Sequence, residues 1–300
     1  MKAKKIAPLR TMKAFGPAGK MVRLRAILED LGSAMVAFSG GVDSTLLLKV
    51  AADVLGNRVA AVTASSPTYP GREIRAARAL ARKLGVRHEV IATSEMDNPD
   101  FTANPPLRCY HCKKELMEKV SAMASERGMA FVVDGQNADD VSDFRPGARA
   151  AAELGVRSPL REAGLTKADI RSLSKKLGLP TWDRPSLACL ASRFPYDTPI
   201  TPEALGRVEK AEDVLRRLGF GQLRVRHHDS IARIEVPAAD FARLISPGIR
   251  GRIEKDLKKL GYLYVTMDLG GYRTGSMNEA LDGKTKKALG GAATSLKRAL

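Results

Sequence analysis

The sequence predicts an α/β protein, in which a parallel sheet covered by helices is followed by a smaller α+β domain. Over residues 21–140, short apolar segments alternate with helical segments that end in glycine, which is typical of βαβ units. After about residue 200 the pattern changes to a helix, two alternating strands, a second helix and a further strand. With 300 residues, of which 44% are apolar, the chain is long enough to form a hydrophobic core.

Each predicted element has its own signal in the sequence. The first four strands are short apolar runs, at residues 33–39, 58–66, 87–95 and 129–140, the last with its loop. The first helices stop at glycines, at residues 21–32, 44–56 and 71–85; another begins near Cys109, and one over 166–180 has a threonine cap. Later helices are predicted at 202–220 and 246–262, and later strands within 222–237 and at 263–269. We therefore expect a flexible basic arm (1–20), a first domain (21–200), a second domain (201–280) and a basic tail (281–300).

The chain carries an excess of positive charge. Lys and Arg number 50 against 33 Asp and Glu, which suggests a polyanionic partner such as a nucleotide or RNA, or a basic surface without specific meaning. No apolar run reaches the roughly 18 residues that a membrane span needs. The basic N-terminal segment lacks the apolar core of a secretory signal. We therefore expect a cytoplasmic protein with no membrane partner.

The stretch SGGVDS lies where the first predicted strand gives way to a helix. Amide groups at a helix start are unpaired and attract anions, and Gly40 and Gly41 let the backbone approach a phosphate closely. The hydroxyls of Ser39 and Ser44 add donors, whereas Asp43 suits a phosphate only through a bridging Mg²⁺. The lysine of the kinase and GTPase loop is absent. The stretch resembles the pyrophosphate loop (PP-loop) of ATP pyrophosphatases, which cut ATP between its α and β phosphates, adenylate a substrate oxygen and let a nucleophile displace AMP.

Polar residues also follow the second and fourth predicted strands, and the carboxyl ends of parallel strands are where open α/β sheets bind ligands. Thr63 and Ser65 close the second strand, where PP-loop enzymes hold the adenosine. Asp134 follows the fourth strand as a candidate ligand of nucleotide or metal, and Asp139 and Asp140 are candidate ligands of a further Mg²⁺. The alternative is a solvated loop, because Asp and Asn also favour turns.

The three cysteines are the next signal. Cys109 and Cys112 are separated by two residues, a spacing that lets both sulfurs face one metal, and Cys189 lies in a second loop. Three thiolates on a [4Fe–4S] cluster leave one iron without a protein ligand, and that iron can bind an extra sulfide. A redox pair, a structural zinc site completed by His111, and unconnected thiols are the alternatives that spacing leaves open.

Several segments together resemble the LarE family of ATP-dependent sulfur transferases. They are the PP-loop, CYHCKKEL, DGQNADD, RPG at 145–147, SPLREAGLTKADIR and PTWDRPSLACLASRFPYDTPIT. The resemblance covers about residues 20–275 and is most specific in CLASRFPY. It implies an adenine nucleotide α-hydrolase-like fold and the substrate pyridinium-3,5-biscarboxylic acid mononucleotide. ATP would adenylate each carboxylate and sulfur would replace AMP, which gives thiocarboxylates for the nickel-pincer nucleotide of lactate racemase.

The family has two chemical forms. In one form a single cysteine gives up its own sulfur and becomes dehydroalanine; in the other, three cysteines hold a [4Fe–4S] cluster that carries the transferred sulfide. The three cysteines here favour the cluster, with ATP and Mg²⁺ as the other cofactors, while a sacrificial Cys189 stays open. The resemblance also implies a homo-oligomer, either a dimer or a hexamer assembled from dimers, and a sulfide or persulfide donor that reloads the sulfur.

The resemblance implies substrate contacts in the second half of the chain. Ser192 and Arg193 follow Cys189 and would touch the substrate nucleotide. Arg224 and Arg226 lie two residues apart, hence on one face of a strand, and would clamp a phosphate with their forks of donors. Glu212, on the helix before that strand, is a weaker candidate as a site acid. Ordinary basic surface residues are the alternative for these arginines.

Five further residues are candidates of lower rank. Tyr110 and Trp182 flank the cysteines and could stack on the pyridinium ring or pack in the loops. His227 and His228 are interpreted as strand-end residues rather than metal ligands. Arg145 is a candidate partner of the acidic loop or of an ATP phosphate.

Three other functions compete with the LarE interpretation. A tRNA-thiolating enzyme would share the PP-loop and the three-cysteine cluster, and the charge excess favours it; the sequence shows no paired zinc knuckles or RNA-binding appendage, so we expect no nucleic-acid partner. An amide-forming synthetase would not need the cysteines, and a non-catalytic nucleotide-binding protein would release no pyrophosphate from ATP.

Overall fold

A computed structural model of the chain describes residues 16–142, 146–185, 188–273 and 275–282, without the side chains of 141 and 142. Arg145, the tail beyond residue 282 and the arm before residue 16 lie outside the described residues. The chain divides into two compact units. As far as they are described, the first comprises residues 16–65, 71–93 and 112–185, and the second comprises residues 66–70, 94–111 and 188–282.

The first unit is built on a parallel sheet of four strands, as the sequence predicts. The strands are β1 (Ala34–Ala37), β2 (Val59–Ser65), β3 (Arg87–Ala92) and β4 (Phe131–Val133). Their order is β3-β2-β1-β4, and every neighbouring pair is parallel. In the centre, Val36 of β1 lies opposite Ala61 of β2 and Val133 of β4. The carboxyl ends of β1, β2 and β4 therefore lie at one edge of the sheet.

The helices follow the predicted order, with additional short ones. They are α1 (Pro17–Leu31), α2 (Val42–Leu55), α3 (Gly71–Lys83), α4 (Pro99–Thr102), α5 (Arg108–Glu126), α6 (Pro146–Glu153), α7 (Pro159–Glu162), α8 (Lys167–Lys176), α9 (Pro202–Arg217), α10 (Phe241–Ile245) and α11 (Pro247–Lys259). The predicted threonine cap is confirmed: Thr166 accepts from the Asp169 amide, and Asp169 completes a capping box at the start of α8. The short helices α4, α6, α7 and α10 were not predicted, because four to eight residues show too little periodicity.

Both faces of the four-stranded sheet are covered. On one face, buried Val36 and Ala61 belong to an apolar cluster with residues of α1, α2, α3 and α8. On the other face, Met35 and Val62 pack in a second cluster with α5 and α6. Neighbouring residues of β1 and β2 thus pack in opposite cores, which explains why these two central strands are mainly apolar rather than alternating.

The second unit has its own core around a three-stranded sheet. Its strands are β5 (Arg224–His228), β6 (Ile231–Glu235) and β7 (Tyr264–Met267); β5 and β6 are antiparallel, and β6 and β7 are parallel. Helices α9 and α11 pack on this sheet through an apolar cluster that includes Leu215, Phe220 and Leu257. In the described part of the chain, no helix is both long and apolar enough to cross a membrane.

Candidate active site

The PP-loop forms a tight turn between β1 and α2. Gly40 has a φ of +70°, and a Cβ there would lie 3.3 Å from Ala77, so only glycine fits without strain. Ser39 Oγ lies 3.1 Å from Ser44 Oγ and accepts a long 3.4 Å bond from the Gly41 amide. Helix α2 starts directly after Gly41. Amides and hydroxyls therefore converge at a helix N-terminus, which is an arrangement suited to phosphate oxygens.

Asp43 lies in the first turn of α2 and already has a cationic partner. Its carboxylate is ion-paired with Lys167 Nζ, and Asn137 Nδ2 donates to Asp43 Oδ1 at 3.4 Å. The Lys167 amide also donates to Asp139 Oδ2 at 2.8 Å, so Asp43 and Asp139 share one lysine. The ion pair of Asp43 with Lys167 places a cation beside this carboxylate, which is consistent with a bridging Mg²⁺. The role of Asp43 and Asp139 as Mg²⁺ ligands stays a prediction.

The loop after β4 packs tightly against the start of α2. A Cβ on Gly135 would lie 3.0 Å from the Ser44 amide nitrogen, so a larger residue here would require the backbone of α2 to shift. Asp134 is 3% exposed and accepts hydrogen bonds from Ser158 Oγ at 2.8 Å and from Gln136 Nε2 at 2.7 Å. The Asp140 carboxylate accepts from the Asn137 amide at 3.0 Å. These contacts shape the acidic loop; nucleotide or metal binding by Asp134 and Asp140 stays a prediction.

The end of β2 is tied to the end of β1. Thr63 is buried and donates to the Phe38 carbonyl at 2.6 Å, while His88 Nε2 lies 2.8 Å from the Thr63 hydroxyl. Desolvation and the nearby Arg78 lower the pKa of His88, so its imidazole is neutral at pH 7. The Ser65 carbonyl accepts from the Thr93 amide at 3.1 Å. Adenosine binding by Thr63 and Ser65 stays a prediction.

Sequence reasoning missed two cations of the first unit. Lys167 lies 124 positions from Asp43 and follows a helix cap, where a lysine is unremarkable in sequence. Arg184 donates from Nη1 to the Gly40 carbonyl at 3.0 Å, across 144 positions. Only the packing of α8 and of the turn before Arg184 brings these groups to the PP-loop.

The Cys189 loop is held by a buried ion pair of the second unit. Arg193, 2% exposed, binds Glu212 through one edge of its guanidinium, with Nε–Oε1 at 2.8 Å and Nη2–Oε2 at 3.1 Å. Its Nη1 donates to the carbonyls of Ala188 and Cys189, each at 2.9 Å. The Ser192 hydroxyl also donates to the Cys189 carbonyl, at 2.8 Å. Arg193 therefore fixes the backbone that presents the Cys189 thiol, and substrate binding by Ser192, Arg193 and Glu212 stays a prediction.

Glu212 makes the stability of the second unit depend on pH. Burial is the largest influence and would raise the pKa of Glu212, but Arg193 and then Arg216 outweigh it and lower the pKa from 4.5 to about 2. Because the folded-state pKa is the lower one, ionised Glu212 stabilises the fold above pH 4.5, and this stability is lost as the pH falls toward 2.

We expect Glu212→Gln to lower the free energy of unfolding at pH 7 by about 3–5 kcal/mol, since it leaves Arg193 buried without a counter-charge. The variant should also lose the pH dependence of stability between 4.5 and 2 that Glu212 confers. Urea unfolding across this pH range measures both effects. Glu209→Gln, on the same helix, is the control, and equal stability of the two variants would contradict the assignment.

The two arginines of β5 are also buried. Arg226 binds Glu235 through Nε and Nη2 at 2.8 and 2.9 Å and donates from Nη1 to the Ser192 carbonyl at 2.6 Å. Arg224 lies over the Tyr272 ring at 5.1 Å, and desolvation, followed by the charge of Arg193, lowers the pKa of Arg224 to about 10. The structure confirms their strand; phosphate binding by Arg224 and Arg226 stays a prediction.

Cys109 and Cys189 lie close together in the second unit, beside a buried cation. Desolvation and then the thiol of Cys189 raise the pKa of Cys109, although Cys109 as a whole residue is exposed. Arg108 is 1% exposed, hydrogen-bonds to the Asn104 side chain and has a buried Nε without a partner. Arg108 also hydrogen-bonds to the Cys109 side chain, and its charge and this hydrogen bond oppose the rise in the pKa of Cys109.

Cys112 follows Cys109 by one turn of α5 and is half-buried. Considering only the ranges that the structure describes, no three His, Cys, Asp or Glu side chains are grouped closely enough to hold a metal ion. The three cysteines as ligands of one metal therefore stay a prediction.

The remaining candidates have ordinary packing contacts. The ring of Tyr110 lies edge-on to His111 at 5.6 Å, and Lys175 Nζ lies 4.6 Å from the Trp182 ring centre. His227 is buried against Phe194, and its Nδ1 lies 3.2 Å from the Tyr262 hydroxyl. Desolvation lowers the pKa of His227 and of His228 at the end of β5. Stacking of Tyr110 and Trp182 on a substrate ring stays a prediction.

Comparison with known proteins identifies the family. The family model described as asparagine synthase matches residues 28–163. Over 262 residues, the chain is 47% identical to an uncharacterized protein of Synechocystis, covering 87% of this chain and 98% of that protein. It is 41% identical over 265 residues to pyridinium-3,5-bisthiocarboxylic acid mononucleotide synthase of Lactiplantibacillus plantarum, covering 88% and 95% of the two chains. An uncharacterized protein of Methanocaldococcus jannaschii is 29% identical over 258 residues, which are 85% of this chain and 98% of that protein. With its parallel sheet, its PP-loop and this similarity over nearly the full length of a named synthase, the chain belongs to the LarE family of ATP-dependent sulfurtransferases.

Proposed function

We propose that this enzyme inserts sulfur into the carboxylates of pyridinium-3,5-biscarboxylic acid mononucleotide, a step in nickel-pincer nucleotide biosynthesis. The observation that carries the proposal is the 41% identity to a synthase named for the bisthiocarboxylic acid product, over 95% of its length. The cysteines support it, because Cys109 and Cys189 lie close together and sulfur transfer needs a nearby sulfur atom.

The first step activates a carboxylate, which is a poor electrophile. A carboxylate oxygen attacks the α-phosphorus of ATP, the bond between that phosphorus and the oxygen bridging to the β-phosphate breaks, and pyrophosphate leaves with the bonding electrons. The PP-loop amides and the hydroxyls of Ser39 and Ser44 would hold the leaving pyrophosphate, while Asp43 would anchor the Mg²⁺. Lys167, now paired with Asp43, is positioned to neutralise phosphate charge as well.

The second step replaces AMP by sulfur. A sulfur nucleophile attacks the carbonyl carbon, a C–S bond forms, and AMP leaves with the electrons of the broken C–O bond. In the sacrificial alternative this nucleophile is the Cys189 thiolate; loss of its α-proton and cleavage of its Cβ–S bond would then leave dehydroalanine. Arg193, by holding the Cys189 carbonyl, would orient the nucleophile in that alternative.

For the sulfur source we favour a [4Fe–4S] cluster held by Cys109, Cys112 and Cys189. The donor chemistry fits: three thiols are available, and the positive charge of buried Arg108, next to Cys109, would offset the negative charge of thiolate ligands. When bound, the cluster would supply a sulfide on the iron that lacks a protein ligand.

Anaerobically purified protein is expected to be brown and to contain about four irons per chain. Each single Cys→Ser variant should lose most of this iron, because an incomplete ligand set leaves the cluster labile. Iron and sulfide analysis together with the visible spectrum measures this. A colourless protein with full activity would overturn the cluster and point to a sacrificial Cys189.

The function itself is tested with ATP, Mg²⁺, a sulfide source and the biscarboxylic acid mononucleotide. Mass spectrometry should show stepwise replacement of oxygen by sulfur, together with release of pyrophosphate and AMP. Absence of both pyrophosphate release and thiocarboxylate formation with this mononucleotide would overturn the proposed substrate.

Thiolation of tRNA is the second candidate, favoured by the net charge of +17. However, residues 1–15 and 283–300 contain ten Lys and Arg and no acidic residue, so more than half of the excess lies in these end segments. Salt-dependent tRNA binding with tRNA-stimulated pyrophosphate release would support this candidate, and indifference to tRNA would remove it.

A further inference from the structure

We propose that Arg184 is a positioning residue of the PP-loop: it holds the Gly40 carbonyl so that the Gly41 amide faces the pyrophosphate of ATP. The proposal rests on the ATP-dependent step of the proposed function. It goes beyond that function because it explains how the loop keeps its binding form before the nucleotide arrives.

The geometry of one peptide group carries the inference. Arg184 Nη1 lies 3.0 Å from the carbonyl oxygen of Gly40. This carbonyl and the Gly41 N–H belong to the same peptide unit, and in a trans peptide they point in opposite directions. With the carbonyl held by Arg184, the Gly41 amide faces the opposite side, where its protein acceptor, Ser39 Oγ, is a distant 3.4 Å away. That amide is therefore weakly bonded and open to a stronger anionic acceptor.

The alternative orientation of this peptide would oppose binding. Gly40 has a φ of +70°, and glycine at this position allows the peptide plane to rotate at low cost. A rotated peptide would present its carbonyl oxygen to the phosphate, and two negative groups would repel each other. A charged donor on the carbonyl selects the productive orientation, because hydrogen bonds to charged groups are stronger than neutral ones.

Arg184 is itself fixed from two sides. Its Nη2 pairs with Glu73 Oε2 of α3 at 2.5 Å. Its own carbonyl and that of Trp182 accept hydrogen bonds from Arg171 of α8, at 2.9 and 2.8 Å, and its amide donates to the Thr181 carbonyl at 3.1 Å. A merely solvated arginine would need none of these contacts. The guanidinium is thus pre-ordered against the PP-loop.

The test compares the affinities of inorganic pyrophosphate and AMP, each titrated with Mg²⁺ into the full-length protein by calorimetry. Arg184→Gln should weaken pyrophosphate binding by about 10–100-fold, the loss of one hydrogen bond to a charged group, and AMP binding by less than about twofold. Arg184→Lys keeps a cation near the carbonyl and should restore part of the affinity. Arg75→Gln removes the same charge from an exposed position of α3 and should leave both affinities unchanged.

Three results would overturn the proposal. The first is unchanged pyrophosphate affinity in Arg184→Gln. The second is an equal loss of affinity for pyrophosphate and AMP, which would indicate general disruption of the protein. The third is a loss in Arg75→Gln as large as in Arg184→Gln, which would indicate an effect of bulk charge. Failure of the proposed function is distinguishable: the wild-type protein would then bind pyrophosphate in calorimetry but release none from ATP in the presence of the mononucleotide.

Discussion

Asp43→Asn is expected to lower the rate of pyrophosphate release from ATP by about 10²–10³-fold while the fold stays intact. Asparagine keeps the size of the side chain and one oxygen for the Asn137 contact, which now measures 3.4 Å. It removes the charge that attracts Lys167 and that would bind Mg²⁺. A neutral amide is a much weaker ligand for a hard divalent cation than a carboxylate.

The size of the effect follows from where charge develops. When the bond between the α and β phosphates breaks, negative charge builds on the leaving pyrophosphate, and a fixed cation there stabilises the transition state by several kcal/mol. Each 1.36 kcal/mol is about a factor of ten in rate. Since the ground state gains less from the cation, the loss should appear mainly in kcat.

Asp53→Asn is the matched control, because it removes the same charge from the same helix. Asp53 forms surface ion pairs with Lys49 at 2.7 Å and Arg25 at 3.7 Å, and such pairs contribute roughly 0–1 kcal/mol to stability. A coupled pyrophosphate assay with both variants, together with their thermal unfolding, separates catalysis from folding. Release by Asp43→Asn within about threefold of the wild type would mean that another group anchors the metal.

The parallel sheet and the PP-loop could be predicted because their signals are local. Apolar runs, glycine stops and the Thr166 cap lie within a few residues of the elements that they specify. The PP-loop is a similar case, since Gly40 is required by its own φ of +70° and by the neighbouring Ala77. Such features need no knowledge of the rest of the fold.

The partners of the charged residues could not be predicted, because they depend on packing. Arg193 and Arg226 look like phosphate-binding residues in a basic sequence, yet each is paired with a buried glutamate, 19 and 9 positions away. The packing of α9 on the turn of residues 190–193 creates the first pair, and the cross-strand register of β5 and β6 creates the second. In sequence, a buried arginine and an exposed one are the same letter.

The segments that form the second unit could not be predicted either. Residues 66–70 and 94–111 lie between segments of the first unit in sequence but belong to the second unit, which places Cys109 in the same unit as Cys189. The backbone shows one such link, because the Leu190 amide donates to the Thr68 carbonyl at 2.8 Å. Buried Glu95 supports that link by accepting from the Thr68 hydroxyl at 2.7 Å. No periodic pattern reports contacts between loops so far apart.

Cys189→Ser is expected to lower the rate of thiocarboxylate formation by about 10³-fold or more, while pyrophosphate is still released. A serine hydroxyl is a far weaker nucleophile and metal ligand than a thiolate, so sulfur transfer fails whether Cys189 is a cluster ligand or the sacrificial donor. The PP-loop lies in the first unit and Cys189 in the second, and adenylation needs no sulfur. The acyl adenylate should therefore accumulate after a burst of about one pyrophosphate per chain.

Cys109→Ser and Cys112→Ser tell the two sulfur sources apart. If a cluster carries the sulfur, all three variants should lose thiocarboxylate formation together with iron. If Cys189 is sacrificial, only Cys189→Ser should be inactive, and the wild-type chain should lose the mass of hydrogen sulfide after a single turnover. Rapid-quench pyrophosphate measurements and intact-protein mass spectrometry, made on the same anaerobic samples, give both readouts. Full thiocarboxylate formation by Cys189→Ser would refute both sources, because each of them requires the Cys189 thiol.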